Sequence, residues 1–180
     1  MNLDAGSVIL RKPEPKDVDA LYVQKNDPEV AQSLVGFSMG YTRSDIVAWV
    51  DRHHDRRDEC LWVVARKEDD RCLGHVAFYQ LDHRVRSAEF GIMLGEKSEW
   101  GKGLGRRVSQ CVIDYGFEML NLNRISLSVL RTNARAHSLY VSLGFKEEGV
   151  LREAQWKAGA YVDLVLMSLL RSDRPRKAAP

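Results

Sequence analysis

The stretch Glu99-Trp100-Gly101-Lys102-Gly103-Leu104-Gly105-Arg106-Arg107 sets three glycines and three cations between an apolar run and a helical pattern. Glycines without side chains let backbone N–H groups converge on an anion, and a following helix adds the positive end of its dipole. The stretch therefore reads as a phosphate-binding turn between a strand and a helix, where open sheets bind their ligands. Downstream, Leu104, Val108, Cys111, Val112, Tyr115 and Met119 recur at helical spacing opposite Arg107, Gln110, Asp114 and Glu118. That is an amphipathic helix. Upstream, Ser87 to Leu94 reads as a strand.

Further upstream, Leu61 to Ala65 and Leu73 to Phe78 are apolar strands joined by the charged turn Lys67-Glu68-Asp69-Asp70-Arg71. Val8 to Arg11 is a short strand ended by Pro13 and Pro15, and Lys16 to Val23 a short helix broken at Asp27-Pro28. Thr42-Arg43-Ser44-Asp45 opens another helix with a capping-box pattern, and its Ile46, Trp49, Val50 and His53 share a face. Beyond the amphipathic helix, Arg124 to Leu130 alternates as a strand, and Asn133 caps a short helix that Gly144 ends. Phe145 onward is strand, and Lys157-Ala158-Gly159-Ala160 turns the chain into a last strand, Tyr161 to Leu169. This order makes a mixed sheet with helices on its faces, α/β or α+β in class. Residues 171–180, charged and proline-containing, are expected to form a disordered tail.

The chain has 180 residues, 44% of them hydrophobic, enough for one substantial core. Its 27 basic and 25 acidic residues leave a net charge of +2, so no global field points to nucleic acid or an anionic membrane. No apolar run approaches the ~20 residues that span a bilayer, and Met1 to Ser7 lack a signal-peptide pattern. A cytoplasmic protein is the expectation. Cys60, Cys72 and Cys111 have no close pair and read as core filler. His53 and His54 lack the carboxylate or cysteine spacing that would complete a metal site, so no metal is expected.

Three ligands compete for the glycine turn. A P-loop needs Ser or Thr after the lysine, but Gly103 follows Lys102. A dinucleotide fingerprint needs Gly-x-Gly-x-x-Gly early in the chain, whereas Gly101, Gly103 and Gly105 are evenly spaced and Arg106 stands in place of the third glycine. The third reading is a coenzyme A pyrophosphate.

The run Ala88-Glu89-Phe90-Gly91-Ile92-Met93-Leu94, the turn Trp100 to Gly105, Asn133-Ala134-Arg135-Ala136, and Leu139-Tyr140 with Leu143-Gly144-Phe145 together resemble the GCN5-related N-acetyltransferases (GNAT). The resemblance spans roughly Val8 to Leu170. The ending, Glu148-Gly149-Val150-Leu151-Arg152-Glu153 and then Leu166 to Leu170, is similar to the branch holding ribosomal-protein N-terminal, spermidine and amino-sugar acetyltransferases. The resemblance implies a single N-acetyltransferase domain over residues 1–170. Its sheet would be mostly antiparallel, opened at a central splayed parallel pair, Glu89 to Leu94 and Arg124 to Leu130. Acetyl-CoA would lie in that opening, its pantetheine arm on backbone groups of Ile92, Met93 and Leu94. Its pyrophosphate would sit on Trp100, Gly101, Lys102, Gly103, Leu104, Gly105 and Arg106, with Asn133 hydrogen-bonding nearby. Tyr140 matches the family tyrosine that protonates the departing thiolate. Trp100 departs from the family's usual Gln or Arg.

An aliphatic amine, with a pKa of about 10.4, is protonated at pH 7 and cannot attack a thioester until a base accepts its proton. Glu89, at the start of the strand beside the thioester, is the first candidate, and His75 on the neighbouring strand the second. The acceptor is expected to be a small amine such as an amino sugar, which Arg43, Arg84 and Arg86 would suit if it were phosphorylated or nucleotide-linked. A protein N-terminus, a polyamine and a silent acetyl-CoA sensor are the alternatives. Ser33 to Arg43 and the turn from Trp156 to Tyr161 would form the acceptor mouth, with Phe37, Tyr41, Trp49 and Trp156 as its candidate aromatics. The apolar last strand could also pair two copies into a homodimer.

Overall fold

The alternating apolar runs assemble into one eight-stranded sheet in a computed structural model that describes residues 1–36, 38–53 and 56–174. The strands are β1 (Leu3–Asp4), β2 (Val8–Arg11), β3 (Cys60–Arg66), β4 (Cys72–Asp82), β5 (Ser87–Leu94), β6 (Arg124–Leu130), β7 (Lys146–Lys157) and β8 (Ala160–Leu170). They lie in the order β1-β2-β3-β4-β5-β6-β8-β7. The helices are α1 (Val18–Lys25), α2 (Pro28–Ser33), α3 (Arg43–Arg52), α4 (Leu104–Glu118) and α5 (Ala134–Ser142).

Period-two alternation decides which helix packs where. Along β5, Ala88 and Phe90 enter the larger core with Val108, Val112 and Phe117 of α4 and Tyr140 of α5. Met93 turns to the opposite face, where Leu21, Val30, Ile46 and Val50 of α1, α2 and α3 form a second core with Val63. Gly116 lets α4 close on the sheet: an added Cβ would stand 2.7 Å from the Phe78 ring. The mixed, mostly antiparallel sheet with flanking helices agrees with the sequence reading.

All neighbouring strands are antiparallel except β5 and β6. Those two pair only at Ser87↔Arg124, Ala88↔Ile125 and Glu89↔Ser126. Beyond Glu89 they part, although β4 still pairs with β5 as far as Leu94 and β8 with β6 as far as Leu130. Each parted strand thus keeps one bonded edge and presents the other to the gap. Gly74 pins the β4 side: a Cβ there would fall 2.0 Å from the Met93 carbonyl oxygen.

Several expectations are corrected. The helix expected from Lys16 starts instead at Val18, after a 3-10 turn. Asp27-Pro28 breaks α1 and also opens α2, with the Asp27 side chain accepting from the N–H groups of Glu29 and Val30. The tail is ordered at its start: Arg171–Asp173 form a 3-10 turn, and the Arg171 guanidinium donates to the carbonyls of Leu122 and Phe117. Residues 175–180, like Phe37 and His54, lie outside the described residues.

Candidate active site

The gap between β5 and β6 opens into a cleft of about 610 Å³. One wall is β5 from Glu89 to Leu94, the other Ser128, Val129 and Leu130 of β6, and α5 adds Arg135, Ala136, Leu139 and Tyr140. Gly101, Gly103, Leu104, Gly105 and Arg106 line its glycine-turn end. Gly101 and Gly103 hold φ of +78° and +77°, a conformation that side chains resist, so both glycines are required by the turn. Gly103 caps α4, whose first amides have no partners within the helix. Free amides and a helix dipole therefore converge where a diphosphate would sit, and Arg106 and Arg135 line the same cleft.

Trp100 has a structural explanation. Its indole N–H donates to the Leu94 carbonyl at 2.7 Å, closing the end of β5, and its ring carries the Arg135 guanidinium 4.4 Å from its centroid. The tryptophan thus presents a cation to the turn from below instead of contributing one. Arg135 went unrecognised in the sequence, because nothing in Asn-Ala-Arg-Ala marks which side chain faces the cleft. Three expected ligands are otherwise engaged, the first being Arg106, whose guanidinium donates to the Ser142 hydroxyl at 2.5 Å and to the Ser142 carbonyl at 3.4 Å. Lys102 does not line the cleft, and its ammonium lies 3.7 Å from Glu99. Asn133 lines it, yet its side chain caps α5 through Ala136 N–H and donates to the Ser33 carbonyl at 2.9 Å, tying α5 to α2.

The other half of the cleft is walled by Lys25, Val30, Leu34, Tyr41, His75 and Tyr79. Glu89 stands where β5 and β6 begin to part, touched by Gln80 Nε2 at 3.3 Å. Tyr140 packs edge-on against Phe90 and tilts against Phe145, at centroid distances of 6.3 and 5.8 Å. Its hydroxyl has no protein partner among the described residues. Burial pushes the phenol up to about 12, so it remains a proton donor across the physiological range. His75 is buried edge-on against Trp49 at 5.1 Å, with Nδ1 unpartnered among the described residues. Burial first, then the nearby Lys25 and His53, hold its pKa well below that of a free imidazole. The ring is neutral, but burial removes the basicity that recommended it.

The two segments of the expected mouth lie differently. Ser33 to Gly36, Ser38 and Tyr41 line the cleft, whereas the turn from Trp156 to Tyr161 does not. That hairpin braces the loop from behind, with Gln155 accepting from Gly36 N–H and Lys157 donating to the Gly36 and Ala31 carbonyls. Trp156 and Tyr161 meet edge-on, both exposed to solvent. Among the described residues, no group of three or more His, Cys, Asp or Glu could hold a metal ion, and no helix is long and apolar enough to cross a membrane.

A sheet parted between parallel strands, with a glycine turn at one end of the cleft and a tyrosine in its wall, is the arrangement expected of a CoA-dependent acyltransferase. Residues 7–146 match the acetyltransferase (GNAT) domain model. The chain belongs to that family and is an acetyl-CoA-dependent N-acetyltransferase. It is 33% identical over 166 residues to an uncharacterized N-acetyltransferase, p20, of Bacillus licheniformis, covering 91% of this chain and 93% of the relative. It is 31% identical over 168 residues to the spermidine N(1)-acetyltransferase of Escherichia coli K12, covering 93% and 88%. The spermidine N-acetyltransferase of Vibrio cholerae, solved with CoA and spermine, superposes with a TM-score of 0.85 at 28% identity, covering 93% of this chain and 97% of that one.

Proposed function

We propose that this enzyme acetylates the primary amine of a small molecule seated between Glu89 and the α1–α2 wall. The observation that carries this reading is the placement of the Tyr140 hydroxyl, without a partner among the described residues, and the Glu89 carboxylate on the same cleft as the glycine turn. Acetyl-CoA supplies the activated acyl group and a thiolate leaving group. The β5 edge orients the thioester and polarises its carbonyl. Glu89 takes the proton from the incoming ammonium, directly or through water, and Tyr140 returns one to the sulfur. Holding amine and thioester in one cleft supplies further acceleration.

A nucleotide-linked amino sugar loses its support. Arg43 pairs with Asp19 over the Tyr22 ring, Arg84 and Arg86 lie in and beside the β4–β5 turn, and none of the three lines the cleft. The spermidine-acetylating relatives favour a polyamine as the second reading. However, Lys97 already holds Asp27 and Glu29, and Asp45 caps α3.

Release of free CoA thiol with a panel of amines tests the reading. Tyr140→Phe is expected to lower kcat about 100-fold while acetyl-CoA affinity holds. Glu89→Gln should cost most near neutral pH and recover as the solution approaches the amine's own pKa of about 10.4, where no base is needed. A wild-type rate in Tyr140→Phe removes its acid role. Tight acetyl-CoA binding with no amine turned over would mark a sensor.

A further inference from the structure

Lys25 closes α1 and lines the acceptor half of the cleft. Its ammonium lies 4.4 Å from the Trp49 ring centroid and 5.5 Å from that of Tyr41, and no carboxylate pairs with it among the described residues. The acids near it in the chain are committed elsewhere: Asp19 to Arg43, Asp27 and Glu29 to Lys97. From β4 it faces the neutral His75, and from β5 Glu89 lines the same chamber. The other cations lining the cleft, Arg106 and Arg135, belong to its glycine-turn end. Burial alone draws the Lys25 ammonium down to about 8.

A cation held out of water without a counter-ion is costly, and a leucine or glutamine would cover Trp49 without that penalty. The cost is offset when a ligand brings the opposite charge. We infer that the acceptor is an amphoteric molecule whose carboxylate or phosphate pairs with Lys25 while its ammonium is delivered to Glu89. The inference rests on the acceptor site proposed above and names the chemistry it selects. A polyamine would instead bring a second ammonium against Lys25, a like-charge contact beside a half-buried cation.

The test uses the full chain, acetyl-CoA and matched amines: amino acids beside their amides, and phosphoethanolamine and glucosamine 6-phosphate beside ethanolamine and glucosamine, with spermidine as the cationic arm. Wild type is expected to show kcat/KM at least about 10-fold higher for an anionic member than for its neutral partner, the size of one charge-assisted hydrogen bond. The pair that shows the preference identifies carboxylate or phosphate. In Lys25→Gln the ratio should fall toward one, chiefly through KM, and Lys25→Glu should shift preference toward spermidine. Melting temperature and acetyl-CoA affinity report whether each variant folds, and the wild-type preference decides the matter if neither does. A wild-type preference for neutral amines or spermidine, or an unchanged ratio in Lys25→Gln, overturns the inference and leaves the acetyltransferase reading standing. Bound acetyl-CoA with no amine turned over overturns both.

Discussion

Asp17 shows how much one buried carboxylate can hold. It is 2% exposed and takes both guanidinium nitrogens of Arg11, at 2.8 and 2.9 Å, while also accepting from Glu14 N–H. Arg11 reaches on to Asp70 through Nε at 2.8 Å, so β2, the start of α1 and the β3–β4 turn meet at one cation. The carboxylates raise the guanidinium's pKa further above its usual range. Asp17→Asn removes one of the two carboxylates on that buried cation and leaves Asp70 in place, and a stability loss of about 1–3 kcal/mol is expected in denaturant unfolding. A loss under about 1 kcal/mol would show that Asp70 alone suffices. The cluster was illegible in the sequence, where Arg11 ends a strand and Asp17 sits among charges that read as surface. Lys25 and Arg135 escaped notice for the same reason: charge is visible in a sequence, but the absence or presence of a partner is not.

At the scale of elements, legibility followed local pattern. Ser87–Leu94 and Arg124–Leu130 stand at the bounds read from sequence, because alternation and flanking breakers mark them without help from neighbours. The six-residue α2 is legible in the sequence only as a break at Asp27-Pro28, and the two-residue β1 has no periodic signal of its own, so its existence depends on β2. The last hairpin was legible from its turn, but its attachment was not. Arg124 of β6 reaches across β8 to Glu148 of β7, which also accepts from Ser168 at 2.7 Å. The Arg124 hydrogen bonds first, and Ser168 second, hold the Glu148 carboxyl down at about 2. A depressed carboxyl contributes stability above its unfolded value of 4.5 and loses it as pH falls toward 2. The melting temperature of wild type should therefore exceed that of Glu148→Gln at pH 6, with the gap closing between about pH 5 and pH 2. A gap independent of pH would assign the effect to packing.

For the whole molecule, the parted sheet links cofactor to stability. The glycine turn announced an anion site from local chemistry, yet the parting of β5 from β6 is a relation between strands far apart in the chain and was expected only through family resemblance. If acetyl-CoA completes that gap, it binds the folded chain and not the unfolded one. At 100 times its Kd it should add about 2.7 kcal/mol, a rise of roughly 5–10 °C in Tm for a domain of this size. Amide exchange at Ile92, whose N–H alternates to the gap side while that of Met93 faces β4, should slow with it. A shift in Tm without that local protection would place the cofactor away from β5.

Three rungs between its middle strands leave this sheet with a seam. Unpaired strand edges invite whatever backbone arrives first, a neighbouring chain included. A cofactor that fills the seam would also keep other chains out. The supply of acyl donor would then set how long each copy lasts as well as how fast it works.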